Sequence, residues 1–532
     1  MMFVSKECHA MSVYQNRFPF VLALVTVLIF VLAGGILAWT GDDEELQGRE
    51  RLGFAIETVS VELAGPLGGQ IVTYTVTAGL TPILDDVGTE RAQIFSTAYT
   101  INADEGEKRP VAFIFNGGPG ASSIYLHMGG LAPRIARPIP NAGLDEPSHP
   151  FHVVDNSYSP LAVADLVFVD PVGTGFSRSI DPDTGLPLSP FDMEANALFW
   201  SLERDLGSLA EFIRTWLTEN DRWGSRVFII GESYGGLRAA ALPSFLSRLG
   251  IATSGTVMVA PALAYTFLVQ TFVDVDYDVA VLPTAVAIAH YHGLLADDLQ
   301  KMSVEDLTDM AWRWARTEYR QALHEGNSLS GEQFQAVAKE LSRLTSLPEL
   351  EFTVRGLRFP YNFPELVLRK NHLIISPYDG RMTAPLSFVT QGEEDPLNRL
   401  ANEYYHTNLM SFLQDTVGLK TLRPYLGINE AVLPNWDFMD GNHMGMPDSA
   451  SILAMQMRRF PSLKVFMALG RYDLVCPPES TLAALNRMDI PKNRLANIET
   501  RIYDGGHMIY TNPEAARKLG RDLSAWMMPA VR

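Results

Sequence analysis

The 532-residue sequence predicts an α/β protein in which helices cover both faces of a mainly parallel sheet. Two observations lead to this prediction. Short apolar runs, typical of buried strands, recur along the chain and alternate with longer helical stretches. The region between the fourth and the fifth of these runs is instead rich in aromatic residues and helix-start signals. Together they predict an α/β core that carries an inserted, mostly helical lid.

The predicted strands follow a polar linker at about residues 41–60. The segments IVTYTVTAG and AQIFSTAYTI alternate between apolar and polar residues, which is typical of a β-hairpin. A helix is predicted over residues 193–220. The runs expected to form the parallel sheet are VAFIF (111–115), LVFVD (166–170), RVFII (226–230), TVMVA (256–260), LKVFMAL (463–469) and NIETRIY (497–503).

The predicted lid covers residues 266–440. Two helix starts within it, SVED from Ser303 and SGEQ from Ser330, have the spacing of capping boxes. The resulting domain organisation is an N-terminal tail with an apolar segment (1–45), the first part of the core (46–265), the lid, and the second part of the core (441–532).

Composition and charge exclude several classes of function. The net charge of −19 argues against a nucleic-acid partner. No metal-binding motif and no complete phosphate-binding loop is found, so we expect neither a metal nor another cofactor. The two cysteines, Cys8 and Cys476, flank a predicted membrane segment and cannot form a disulfide scaffold. The sequence contains no N-glycosylation motif, which suggests a bacterial rather than a eukaryotic exported protein.

The stretch from Phe18 to Trp39 carries no charge and is almost entirely apolar. As a helix it would extend roughly 33 Å, enough to cross the hydrocarbon core of a bilayer. Lys6 and Arg17 precede it and four acidic residues follow it. The positive-inside rule then predicts an inner-membrane anchor with the chain after Thr40 in the periplasm. A cleaved signal peptide, which would release a secreted protein, is the alternative.

A candidate nucleophile lies in GESYG, where Ser233 follows the run RVFII and precedes an Ala- and Leu-rich stretch. A serine on a strand-to-helix turn, with glycines two positions before and after it, is the nucleophile elbow of the α/β-hydrolases. The glycines remove Cβ atoms that would clash in so sharp a turn. The N-terminus of the following helix favours negative charge near the serine.

A serine nucleophile needs a base and an acid that orients the base. In α/β-hydrolases these follow the serine in the order acid, then histidine. His507, in RIYDGGHMIY, follows a late predicted strand and is the candidate base. Asp473, which follows LKVFMAL, is the candidate acid. Asp504 is the alternative, although its position three residues before His507 is better suited to capping the loop.

Five motifs in order, FNGGPGASS, DPVGTGFS, GESYGG, RYDLVCP and GGHM, resemble the serine carboxypeptidase family of α/β-hydrolases. The resemblance extends from about residue 70 to the end and is weakest in the lid. It implies a serine-type carboxypeptidase that acts on peptides with a free C-terminus. It also implies Ser233, Asp473 and His507 as the catalytic triad.

The same resemblance implies roles for residues around the triad. The backbone amides of Gly118 and Tyr234 would form the oxyanion hole. Asn116, Gly117 and Glu232 would bind the C-terminal carboxylate of the peptide. The remaining residues expected to contact substrate are Cys476 and Met508.

Two positions depart from the family pattern. A second acidic residue is expected near position 130, where this chain has glycine, and the usual tryptophan is replaced by Ile114. The departures leave open an esterase or acyltransferase that uses the same triad. A membrane-tethered binding protein with a vestigial triad is a third hypothesis, against which the complete set of catalytic residues argues. The sequence does not indicate the oligomeric state.

Overall fold

The structure is a computed structural model. It describes residues 55–102, 108–139, 149–264, 274–387, 395–438 and 448–528, together with residues 141 and 147.

Ten strands form one large sheet, and four more form two small antiparallel pairs among the described residues. The strands are β1 (Val59–Leu67), β2 (Gln70–Leu84), β3 (Glu90–Thr100), β4 (Val111–Phe115), β5 (Arg134–Ala136), β6 (Val153–Asp155), β7 (Asp165–Val169), β8 (Arg178–Ser179), β9 (Val227–Glu232), β10 (Thr253–Val259), β11 (Leu373–Ile375), β12 (Thr383–Pro385), β13 (Lys464–Gly470) and β14 (Ile498–Tyr503).

The large sheet has the order β1-β2-β3-β7-β4-β9-β10-β13-β14, and β8 pairs with β3. All pairings from β7 to β14 are parallel, whereas β1, β2 and β3 form an antiparallel edge. The prediction of a mainly parallel sheet is therefore confirmed, as is the β2–β3 hairpin. Because β4, β9, β13 and β14 run in the same direction, the loops at their carboxyl ends meet at one edge of the sheet.

The longer helices are α1 (Leu202–Glu219), α2 (Tyr234–Arg248), α3 (Asp276–Tyr291), α4 (Val304–Trp314), α5 (Gly331–Thr345), α6 (Pro396–Ser411), α7 (Ser449–Arg459), α8 (Pro478–Arg487) and α9 (Pro513–Met527). Shorter helical segments are Ile124–Leu126, His127–Leu131, Pro160–Ala162, Met193–Asn196, Asp297–Gln300, Ala315–Tyr319, Arg320–Glu325, Gly326–Ser328, Glu349–Thr353, Phe363–Leu366, Arg369–Asn371, Phe412–Val417, Leu433–Asn435, Lys492–Leu495 and Ile509–Thr511.

Strand β4 shows why the sheet is covered on both faces. All five of its residues are buried. Ala112 and Ile114 pack into one apolar cluster, and Val111, Phe113 and Phe115 pack into another. Since successive side chains of a strand point to opposite faces, the two clusters lie on opposite sides of the sheet. A continuous apolar run is what such a doubly covered strand requires.

Two elements differ from the prediction. The helix expected over residues 193–220 is divided, because the carbonyl of Trp200 accepts a hydrogen bond from the amide of Asp437. Helix α1 then begins anew after Ser201, whose side chain accepts a hydrogen bond from the amide of Arg204. Strand β1 was not predicted. It begins at Val59, at the end of the expected linker, and pairs with β2 at the edge of the sheet.

Between β10 and β13 the described chain is mostly helical, with a separate apolar cluster around the almost fully buried helix α3. Both predicted helix starts are present: the Ser303 hydroxyl accepts from the amide of Asp306, and Ser330 forms a complete capping box with Gln333. The predicted lid boundaries, residues 266 and 440, lie outside the described residues and stay predictions.

No helix within the described ranges is both long and apolar enough to cross a bilayer. The predicted membrane segment, Phe18–Trp39, lies outside those ranges, as does Cys8.

Candidate active site

Ser233 lies between the end of β9 and the start of α2. Its backbone has φ +58° and ψ −121°, a left-handed conformation that is strained for a residue with a side chain. A Cβ atom added at Gly231 would lie 1.8 Å from the carbonyl oxygen of Gly235, so only glycine fits there. An added Cβ at Gly235 would lie 2.9 Å from the carbonyl oxygen of Phe115. The glycines around Ser233 therefore permit the sharp turn that the sequence predicted.

Asp473 and His507 follow the neighbouring parallel strands β13 and β14 and meet at their carboxyl ends. Nδ1 of His507 lies 2.8 Å from Oδ2 of Asp473. The Asp473 carboxylate is fully buried, and its Oδ1 accepts hydrogen bonds from the amides of Val475 and Cys476 at 2.8 and 2.9 Å. Burial alone would lower the pKa of His507, but the charge and hydrogen bond of Asp473 outweigh burial and raise that pKa well above its usual value.

Asp504, the alternative acid, is placed differently. Its Oδ1 accepts a hydrogen bond from Nε of Arg471 at 2.8 Å, and its side chain is 65% exposed. The structure thus brings Asp473, and not Asp504, to the ring nitrogen of His507. The amide of His507 donates to the carbonyl of Tyr378 at 2.6 Å, which fixes the histidine loop against a segment of the predicted lid.

The glycine-rich loop after β4 lies directly against the turn at Ser233. A Cβ atom added at Gly117 would lie 2.7 Å from the amide nitrogen of Tyr234 and 2.8 Å from Cβ of Ser233. Gly118 has φ +99°, and an added Cβ there would lie 2.6 Å from the amide nitrogen of Gly120. Side chains are sterically excluded at both positions, so the loop presents bare backbone beside the serine.

Glu232, which immediately precedes Ser233, is only 4% exposed. Its Oε2 accepts a hydrogen bond from the hydroxyl of Tyr510 at 2.6 Å. Burial raises the pKa of Glu232 to about 7, against the opposing influence of His507. Asn116 is also buried; its Oδ1 accepts from the amide of Leu126 at 3.0 Å, and its side chain lowers the pKa of Glu232 through a hydrogen bond. The nearby buried carboxyl group and amide donor could recognise a carboxylate.

Tyr510 was missed by the sequence analysis. Its aromatic ring lies over the Gly129–Gly130 backbone, at the position where the family resemblance implies a second acid. The signal was a tyrosine three residues after His507 in the GGHMIY motif. It could not be interpreted without the fold, because Tyr510 and Glu232 are far apart in sequence.

Cys476 and Met508 are both buried. Burial raises the pKa of the Cys476 thiol, although a hydrogen bond with His507 opposes that rise. Met508 belongs to the apolar cluster on one face of the sheet. The predicted contacts of both residues with substrate stay predictions.

The thiol of Cys476, a carboxylate oxygen of Asp473 and a ring nitrogen of His507 lie within 4.8 Å of one another. These are ligand types that bind zinc. However, Asp473 and His507 already bond to each other, and the Asp473 carboxylate also accepts two backbone amides. A metal would have to compete with those bonds. The arrangement is better suited to orienting an imidazole than to holding an ion.

The profile of the serine carboxypeptidase family matches residues 86–522, well over half of the chain. None of the curated proteins compared with the chain matches it.

Among solved structures, the chain resembles the peroxisomal α/β-hydrolase Lpx1 of Saccharomyces cerevisiae at 11% identity, over 90% of this chain and 92% of that one, with a TM-score of 0.33. It also resembles an acetylester hydrolase from Corynebacterium glutamicum at 11% identity, over 88% and 96%, with a TM-score of 0.32. A third similar structure is a thermostable carboxyl esterase from Bacillus coagulans, at 11% identity over 88% of this chain and 98% of that one, with a TM-score of 0.31. These scores are too low to support an argument about activity. On the family profile and the parallel sheet, the chain belongs to the serine carboxypeptidase family and has the α/β-hydrolase fold.

Proposed function

We propose that this protein is a serine carboxypeptidase that hydrolyses the last peptide bond of a substrate through an acyl-enzyme on Ser233. Membership of the family supports serine carboxypeptidase activity in general. The observation that carries the finer proposal is the buried carboxyl group of Glu232, which immediately precedes Ser233 and has a pKa raised to about 7 by burial. A carboxyl group that stays protonated below that pH can donate a hydrogen bond to the free carboxylate of a peptide.

In acylation, Oγ of Ser233 attacks the carbonyl carbon of the last peptide bond while Nε2 of His507 takes the hydroxyl proton. Asp473, at 2.8 Å from Nδ1, holds the ring in the required tautomer and stabilises the imidazolium that forms. The amides of Gly118 and Tyr234 bind the oxyanion, a contribution worth about 3–4 kcal/mol for each donor. The C–N bond then breaks, and the departing amine takes the proton from His507.

In deacylation, water attacks the ester carbonyl and His507 accepts its proton. The intermediate expels Oγ of Ser233, which regains that proton, and the shortened peptide leaves with a new carboxylate. Each proton taken by His507 is returned within the cycle, so no cofactor is needed.

Asn116, Gly117 and Glu232 form the proposed recognition site for the C-terminal carboxylate. Two features support this role: the buried Asn116 side chain lowers the pKa of Glu232 through a hydrogen bond, and Glu232 accepts a hydrogen bond from the hydroxyl of Tyr510. Cys476 and Met508 complete the proposed substrate contacts.

Esterase or acyltransferase activity is the second candidate, and the glycine at position 130 favours it because the family's second acid is absent. The test compares a peptide with its C-terminally amidated form. Carboxypeptidase activity predicts a strong preference for the free acid, and equal rates for the two would favour the esterase. Ser233→Ala should abolish both hydrolysis and labelling by a fluorophosphonate. Labelling of another serine at the wild-type rate would refute the assignment.

The apolar segment Phe18–Trp39 supports the further proposal that the catalytic domain is anchored to the inner membrane and faces the periplasm. Protease added to spheroplasts should then digest the catalytic domain, and carbonate washing should leave the intact protein in the membrane fraction. A mature N-terminus after residue 39, read by mass spectrometry, would instead show cleavage and release.

A further inference from the structure

The hydroxyl of Tyr510 makes a short contact with the carboxyl group proposed to read the peptide C-terminus. It donates to Oε2 of Glu232 at 2.6 Å, and the tyrosine is only 3% exposed. A hydrogen bond of this length between buried groups is stronger than an ordinary surface one. Tyr510 therefore acts directly on the carboxyl group of Glu232.

The backbone beneath Tyr510 has space only for glycine. A Cβ atom added at Gly129 would lie 2.3 Å from Cδ2 of the tyrosine ring, and one added at Gly130 would lie 2.6 Å from Cβ of Tyr510. Neither clash can be relieved by a small movement, because the ring is buried. With Tyr510 in this position, a side chain at position 130 is sterically excluded.

The chemistry of the pair follows from the direction of the hydrogen bond. Burial, followed by the negative charge of Glu232, raises the pKa of Tyr510 well above its usual value, so the hydroxyl remains a donor over the working pH range. A donor on Oε2 makes that oxygen the acceptor of the carboxyl group. The carboxyl proton is then carried by Oε1, the oxygen that remains for a ligand.

We propose that Tyr510 is a specificity-determining positioning residue, whose hydroxyl fixes the Glu232 carboxyl group so that Oε1 carries the proton and donates it to the terminal carboxylate of the peptide. The inference rests on the carboxypeptidase function proposed above. It assigns to a neutral phenol the place that a second carboxyl group would take. One proton, rather than two, then governs recognition.

Other groups also act on Glu232 and must be separated from Tyr510. His507 lowers its pKa and Asp473 raises it through their charges, and the Asn116 side chain lowers it. The negative charge of Glu232 in turn raises the pKa values of Tyr405 and Cys476. The experiment therefore needs a variant that removes only the phenolic oxygen.

Tyr510→Phe retains the ring over the two glycines and removes the donor. Tyr404→Phe is the matched control. Tyr404 and Tyr510 both line a cavity of about 160 Å³, but the hydroxyl of Tyr404 donates to the carbonyl of Arg137. The measurement is the ratio of kcat/KM for a free-acid peptide to kcat/KM for its amide, across pH 5 to 9. We expect Tyr510→Phe to lower the ratio about tenfold below pH 6, as for one lost hydrogen bond to a recognition group. The pH above which the ratio falls should move upward, because Oε2 loses the hydrogen-bond donor that favours the ionised form of Glu232.

A second arm identifies the group that titrates. In the Glu232→Gln background the ratio should no longer fall at high pH. Adding Tyr510→Phe should then leave the pH dependence of the ratio unchanged. A fall of the ratio at high pH that persists in that background would overturn the role of Tyr510. So would an equal loss of kcat/KM for the acid and the amide in Tyr510→Phe. A wild-type preference for the acid that Tyr510→Phe leaves unchanged would overturn this inference alone. Equal rates for acid and amide in the wild type would overturn the carboxypeptidase function, and with it the inference.

Discussion

Raising the pH should weaken recognition of free-acid peptides with a midpoint near 7. The raised pKa of Glu232, about 7, means that its carboxyl group is protonated in the folded enzyme below that pH and ionised above it. In the proposed function, the protonated form donates to the peptide carboxylate, whereas the ionised form would repel it. The peptide's own carboxyl group ionises at about pH 3.5, well below this range, and so adds no change there.

The size of the effect follows from a single proton. If only the protonated enzyme binds the acid, the ratio of kcat/KM for acid to that for amide is constant below about pH 6. It then falls about tenfold for each unit above 7, which corresponds to about 1.4 kcal/mol per unit. Proton transfer by His507 is needed for both substrates, so that requirement cancels in the ratio. Glu232→Gln should flatten the ratio, because the amide nitrogen of glutamine donates at every pH.

Glu479 provides a matched control. It is a buried carboxyl group at the start of α8, and burial raises its pKa to about 7 as well. Glu479→Gln should leave the pH dependence of the ratio unchanged. If Glu479→Gln flattens the ratio and Glu232→Gln does not, or if acid and amide follow parallel curves in the wild type, the reasoning is wrong.

Three further predictions concern the same site. Asp473→Asn should lower kcat by about 10⁴-fold because the wrong imidazole tautomer is favoured. Asp504→Asn disturbs only the ion pair with Arg471 and should lower kcat far less. The opposite order in steady-state kinetics would reverse the assignment of the acid. A small mercurial that reaches Cys476 should inhibit, and full modification confirmed by mass spectrometry with unchanged activity would remove the thiol from the site wall. The buried carboxyl group of Glu232 contributes stability that is present below its unfolded pKa near 4.5 and is lost as pH rises through about 7. Urea denaturation should therefore show that the free energy of unfolding of Glu232→Gln, relative to that of the wild type, increases by roughly 3 kcal/mol from pH 5 to pH 8. An unchanged difference would contradict the raised pKa.

Much of the fold could be predicted because its signals are local. Each buried parallel strand is a continuous apolar run, and β4 coincides with the predicted VAFIF. The break between Met193–Asn196 and α1 could not be predicted, since it depends on a hydrogen bond from the distant Asp437 to Trp200. Strand β1 was missed because an edge strand is buried on few positions and lacks a strong pattern.

The candidate site shows the same division. Ser233 and its glycines could be predicted because the turn places steric demands on adjacent residues. Asp473 could be preferred to Asp504 because it follows the strand before that of His507, whereas Asp504 lies only three residues before the histidine. The partner of Glu232 could not be predicted, since Tyr510 is brought to it only by the tertiary structure.

The placement of Tyr510 links two functions that separate carboxyl groups would keep apart. Tyr510 follows His507 by three residues in the short loop after β14, and its hydroxyl donates to Glu232, the residue that precedes the proposed nucleophile. The same loop therefore carries the proposed base and the group that orients the proposed carboxylate reader. A displacement of this loop would disturb proton transfer and C-terminal recognition together. The hydrogen bond from the His507 amide to Tyr378 restrains such a displacement, so the predicted lid contributes to both functions through the backbone of a single segment.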